Sequence, residues 1–271
     1  MNQQQLSAKN KAGWSKAAYE AWTNRHGTPH SFGKQIREKP TAEVAYYLPY
    51  IGEMRGKRII NLMGSKGSKA VALSLLGAEV TVVDISESNA KYAKELAAAA
   101  KTHIEYIVSD VLDLSETIGS FDVVLLELGV LHYFIDLEPL FTLISQLLKQ
   151  GGTFLLRDYH PMYTKLLQIE NNQAIANGNY FYEDVIEVDV AYSMLLSEAE
   201  RSSLPKNTIR RWTLGEIVTK IAQAGLRIEE LTEECGAKQK WVFPPHAPEG
   251  IEHRIPGLYT LIAKNILKNS L

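Results

Sequence analysis

The sequence predicts an α/β fold: a doubly wound, mostly parallel seven-stranded sheet with an antiparallel last strand, an N-terminal helical lid and an inserted cap. Three observations predict it. Short apolar runs alternate with segments of helical periodicity from Arg58 to Lys149. Each run ends in glycine or a polar residue. Near the C-terminus, two further runs are separated by a loop holding Pro244, Pro245, Pro248 and Pro256, where no helix fits, so those strands should pair antiparallel.

Taken in order, Ser7 to His26 reads as an amphipathic helix with Trp14, Ala17, Ala18, Tyr19 and Trp22 near one face, stopped by Gly27. A weaker helical stretch covers Thr41 to Tyr50. Ile59 to Met63 is a buried strand bounded by Gly56 and Gly64, and Ala70 to Leu76 recur at helical spacing until Gly77. Glu79 to Val83 is the second strand and closes on Asp84. Ser86 caps a helix running to about Lys101. His103 to Val108 is the third strand, ending at Ser109 and Asp110; Phe121 to Leu126 is the fourth, stopping at Glu127, Leu128 and Gly129. Leu137 to Lys149 reads as a helix broken by Gly151 and Gly152. Thr153 to Leu156 then delivers Arg157, Asp158, Tyr159 and His160. From Pro161 to Arg211 the alternation breaks: Asn171 to Asn179 is polar, and Tyr180 to Met194 reads as a strand or hairpin. Thr213 to Ala224 is a helix, and Leu226 to Leu231 and Tyr259 to Ala263 are the last strands. The expected division is residues 1–57 as lid, 58–160 as cofactor-binding core, 161–211 as cap and substrate region, and 212–271 as the rest of the core.

Composition narrows the function. The chain has 271 residues, 45% of them hydrophobic, enough for a sizeable core. No apolar run approaches the roughly 20 residues a bilayer helix needs, and MNQQQLSAKN carries no signal segment. With Cys235 as its single cysteine, the chain is expected to be a cytoplasmic protein with no internal disulfide and no membrane partner. A formal charge of −2 with scattered Lys and Arg argues against nucleic acid as partner and for a small molecule. Lys206, Arg210 and Arg211 read as a solvated loop. No His or acid spacing calls for a metal.

Arg58 to Asp84 is strand, glycine-bearing turn, helix, strand and acid. In such a unit backbone N–H groups at a helix N-terminus receive a negative ligand group, and the acid accepts from a ribose. Taken separately, a glycine turn is usually only a turn and a strand-terminal Asp often a cap. Ser65-x-Gly67-x-x-Ala70 also echoes the dinucleotide fingerprint, which keeps an NAD(P)-dependent oxidoreductase as an alternative.

The order of features from Trp14 to Lys264 resembles the class I S-adenosylmethionine-dependent methyltransferases. Their first strand ends in an acid followed by Gly-x-Gly-x-Gly; here the segment is Asn61, Leu62, Met63, Gly64, Ser65, Lys66, Gly67. Only Gly67 falls on a family glycine, and Asn61 replaces the acid. The resemblance implies S-adenosyl-L-methionine as cofactor. It places Asp84, with Ile85 beside it, at the ribose, Asp110 and Val111 at the adenine, and Glu127, Leu128 and Gly129 at the methionine end. Asn61, Gly64, Ser65 and Gly67 form the turn, and Trp14 and Tyr19 a covering lid helix. His132, Asp158 and His160, at strand ends, are the catalytic candidates should the acceptor be a hydroxyl or protonated amine. Tyr163, Tyr180, Tyr182 and Trp241 are candidates to line an apolar pocket. A second alternative is a non-catalytic ligand-binding protein on this fold.

Overall fold

The computed structural model describes residues 1–266. Helices α1 (Gln3–Lys16), α2 (Ala18–His26), α3 (Pro29–Glu38), α4 (Pro40–Val44) and α5 (Leu48–Ile51) precede the sheet. The central unit follows as β1 (Arg58–Leu62), α6 (Ser68–Leu75), β2 (Glu79–Asp84), α7 (Glu87–Ala100), β3 (Glu105–Val108), β4 (Phe121–Glu127), α8 (Glu138–Leu147) and β5 (Leu148–Tyr159). Next come β6 (Leu167–Glu170), β7 (Gln173–Ala176), β8 (Ile186–Val188), α9 (Glu198–Ser202) and β9 (Asn207–Ile209). The chain closes with α10 (Leu214–Gln223), β10 (Leu226–Glu233) and β11 (Leu258–Asn265). Among the described residues no helix is long and apolar enough to cross a membrane.

The seven-stranded sheet has the order β10-β11-β5-β4-β1-β2-β3, with β11 antiparallel to both neighbours and β1 to β5 parallel. Parallel strands need helices on both faces, so their sequences are apolar on both sides. Alternation then sorts the residues: Ile59, Val82, Val123 and Leu125 pack toward α3, α6 and α7, while Ile60, Leu62, Val124 and Leu126 pack toward α8 and α10. A crossover in opposite directions from β1 and β4 leaves a crevice beyond their carboxyl ends, where open α/β sheets take ligands.

Four expectations are corrected. The first helix is broken at Ala17, whose φ is −144°. The cause lies far away in sequence: the Tyr192 hydroxyl donates to Gly13 O (2.6 Å) and accepts from Ala17 N (3.2 Å), occupying groups that would continue the helix. The helix from Leu137 stops at Leu147, because Leu148 already pairs with Phe121 and begins β5 ahead of the two glycines. Of the strand-or-hairpin reading of Tyr180 to Met194 only a strand is present, β8, which pairs with distant β9; the local hairpin is β6–β7, between Leu167 and Ala176. Arg210 is not solvated; its guanidinium lies 3.6 Å from the Trp212 ring centroid and 2.9 Å from Glu216.

Two long-range contacts shape the crevice. Asn10 and Thr208 exchange hydrogen bonds of 2.9 and 2.8 Å, tying α1 to β9. Ala18, Ala21, Val190, Tyr192 and Leu196 form a small core of their own that joins α2 to the stretch after β8.

Candidate functional site

A cleft of about 670 Å³ opens at the carboxyl ends of the central strands, within the size range of small-molecule sites. Its first wall is the turn after β1. Met63 (φ 53°), Ser65 (φ 49°) and Gly67 (φ 70°) are all left-handed. These are the three places where a Gly-x-Gly-x-Gly turn has glycine, so the backbone keeps that shape with side chains at two of them. Such a conformation costs a non-glycine residue about 1 kcal/mol. It persists because the turn is held from both sides. Ser65 N donates to Asp84 Oδ2 at 3.0 Å, and the Tyr106 hydroxyl donates to Ser65 O at 2.7 Å. Gly64 cannot carry a side chain: a Cβ there would stand 2.7 Å from Asn61 Oδ1 and 2.8 Å from Val82 Cγ1. The Ser65 hydroxyl is buried and has no partner. Replacing Ser65 by Gly should therefore stabilise the fold by about 1 kcal/mol, read as a higher urea midpoint at unchanged slope; a lower midpoint would contradict the strain account.

Asp84, at the tip of β2, is buried yet lines the cleft. Its Oδ1 accepts from Ser86 N (2.9 Å) and Asn89 Nδ2 (3.1 Å), and burial raises its pKa against the pull of these bonds. Ile85, Asp110 and Val111 follow along the same wall; Asp110 Oδ1 accepts from Leu112 N at 3.1 Å.

At the exit of β4, Leu128 (φ 54°) and Gly129 (φ 82°) make a second left-handed turn. Leu128 N donates to Arg157 O (2.8 Å), and Gly129 N to Asp158 Oδ1 (2.5 Å). Glu127 accepts from the Tyr47 hydroxyl and stands 3.7 Å from Lys69. α1 and α2 supply Trp14, Trp22, Arg25 and His26. Lys66 Nζ lies 4.9 Å from the Trp22 ring centroid, and burial together with Lys69 pushes its amine down to about 8. His26 stacks on Phe32 (4.6 Å), has an unpartnered Nε2, and is pushed down to about 4 by burial and then by Lys66. One end of the cleft is thus cationic and desolvated. Lys66, Lys69 and His26 are cleft residues that the sequence does not flag, whereas Trp22 belongs to the aromatic helix face read from it. Lys66 stands in plain view as a spacer of the turn; Lys69 and His26 carry no local signal that points to a ligand.

Several residues singled out from the sequence lie outside the lining of this cleft. Tyr19 turns its hydroxyl to Glu95 (2.6 Å), outside the cleft. Asn61 is buried under the turn, its Nδ2 donating to Leu125 O at 3.3 Å. His160 is occupied at both ring nitrogens: Nε2 meets Glu233 at 2.7 Å, and Nδ1 accepts from Met162 N at 3.1 Å. His132 and Asp158 line a second pocket of about 140 Å³, which shares Tyr159 with the cleft. Burial lowers His132 to about 3 and raises Asp158 to about 6. Of the apolar candidates, Trp241 lines the cleft. Tyr163 donates to Val242 O, Tyr180 accepts from Leu214 N, and Tyr182 is exposed.

Comparison with known proteins agrees with this geometry. Residues 63–156 match the methyltransferase domain family. A Geobacillus sp. (strain WCH70) protein provisionally named a methyltransferase is 34% identical over 119 residues, 43% of this chain and 47% of its own. The ubiquinone biosynthesis O-methyltransferase of Xanthomonas campestris pv. campestris (strain B100) is 31% identical over 138 residues, 49% of this chain and 57% of its own. The chain therefore spans about half the length of the curated relatives it matches. In fold it is similar to an S-adenosylmethionine-dependent methyltransferase from Mesorhizobium loti, with a TM-score of 0.60 and 24% identity, over 80% of this chain and 97% of that one.

Proposed function

We propose that the chain is a class I methyltransferase that transfers a methyl group from S-adenosylmethionine to a small-molecule acceptor, as the match of residues 63–156 to the methyltransferase domain family supports. The observation that carries this reading is the convergence of Asp84, Asp110 and Glu127 on one cleft beside a turn that stays left-handed without its usual glycines.

The lining residues fit the cofactor. Asp84 keeps lone pairs beyond its three protein donors for ribose hydroxyls, and Asp110 borders the adenine. Lys66, Arg25 and Lys69 provide positive charge for a carboxylate, and Glu127 negative charge for an ammonium. The orphaned Ser65 hydroxyl and His26 Nε2 are polar atoms that a ligand in the cleft would satisfy. When bound, the cofactor supplies an activated methyl: the acceptor lone pair forms the new C–X bond, the S–C pair stays on sulfur, and an acceptor proton leaves to base or water. The chain's part is to align the acceptor and exclude water, roles we assign to residues 1–57 as lid and 161–211 as cap, a reading supported by Trp14, Trp22, Tyr192 and Leu195 on the cleft wall. His132, Asp158 and His160 stand outside the cleft, so orientation carries more of the catalysis than a dedicated base.

An oxidoreductase reading is separated by melting curves. S-adenosylhomocysteine at about 100 times its Kd should add about 2.7 kcal/mol, raising Tm by roughly 5 °C, and NADH should add nothing. The reverse pattern would overturn the assignment.

A further inference from the structure

Every charged side chain on the cleft wall comes from residues 25–127. The opposite wall is built from Tyr159 and two short stretches, 191–195 and 241–242, and carries no charge. Its base is rigid: Tyr192 is buried and fixed by its bonds to Gly13 and Ala17, and Trp14 packs edge-on against it at 5.5 Å. Its rim is open. Met194 is 71% exposed and Trp241 52% exposed, although both face the cleft, and Trp241 meets Tyr159 edge-on at 6.4 Å. A large indole left half in water on a concave wall, beside a flexible thioether, is the composition of a site that a hydrophobic ring completes.

We propose that the acceptor is an uncharged, planar aromatic molecule that packs between Trp241 and the 191–195 stretch, its reactive edge directed past Tyr159 toward Glu127 to Gly129. This rests on the methyl-transfer reading. A charged acceptor would lose its hydration against this wall, whose own side chains offer no counter-ion. An aliphatic one would forgo the ring faces of Trp241 and Tyr159.

The test uses the full chain and two probes of equal shape, 2-naphthol and naphthalene-2-carboxylate, titrated by calorimetry with and without saturating S-adenosylhomocysteine. 2-Naphthol should bind at least tenfold more tightly than the carboxylate. Trp241→Ala should weaken 2-naphthol at least fivefold while leaving S-adenosylhomocysteine affinity within twofold, and Met194→Ser should act in the same direction. Tighter binding of the carboxylate, or 2-naphthol binding indifferent to both substitutions, would overturn the inference. Failure of S-adenosylhomocysteine to bind while 2-naphthol keeps its selectivity would instead refute methyl transfer and leave the aromatic site standing.

Discussion

Replacing Asp84 by alanine is expected to weaken S-adenosylhomocysteine binding by about 1 to 3 kcal/mol, roughly five- to 150-fold, and to destabilise the fold by about 2 kcal/mol. Two opposing effects set the stability figure. The carboxylate receives three hydrogen bonds, from Ser65 N, Ser86 N and Asn89 Nδ2, and their loss leaves donors unpaired at the cleft. Burial raises its pKa, so its charged form is costly, and removing it returns part of that loss. For the charged form desolvation outweighs the three bonds, so the net loss comes from the donors left without an acceptor and not from the missing charge. The ligand effect is larger than a single contact suggests, because Asp84 also holds the left-handed Ser65 in place. Calorimetry with S-adenosylhomocysteine and urea unfolding separate the two effects, and Asp84→Asn, which keeps one carbonyl acceptor, should fall between. An unchanged ligand affinity would remove Asp84 from the site.

The second large effect is on acid stability. His132 is held at about 3 by burial and by Arg211, against about 6.5 in the unfolded chain. The unfolded state therefore binds the extra proton between those values, and stability falls as pH drops through that window. Asp158, in the same pocket, is raised to about 6 by burial, so the folded state binds its proton first and gains stability as pH falls from about 6 to 4. Between pH 6 and 4 the two slopes are opposite, each about 1.4 kcal/mol per pH unit, and they cancel. Partly buried His26, held low mainly by burial, adds a further loss on the acid side. The wild-type protein should thus show a shallow profile. Asp158→Asn should turn it into a loss of roughly 2 to 3 kcal/mol across that interval, and His132→Gln should make the protein more stable toward pH 4. Parallel urea-midpoint profiles for the three proteins would contradict these assignments.

The core was legible because its information is local. A parallel strand covered on both faces must be apolar along its length and must stop where the polar edge begins, so Asp84, Asp110 and Glu127 mark strand ends in the sequence and meet in the structure. The turn after β1 was harder to read. Its left-handed backbone survives at Met63 and Ser65 only because Asp84 and Tyr106 grip it, and neither grip leaves a trace in the turn itself. His160 illustrates the converse: its position at a strand end suggests chemistry, and Glu233, 73 positions later, takes its ring.

By itself the sequence determined the alternating α/β order, the antiparallel closing strand and the acids at the ligand edge. Those follow from burial periodicity and from the proline-rich loop, which act over a few residues. Only the tertiary structure decided which polar groups face the cleft, where the first helix breaks, and that residues 186–188 pair with 207–209. Each of these depends on a partner far away in the chain, such as Tyr192 for Ala17 or Glu233 for His160, and a hydrogen bond between distant residues has no period to betray it.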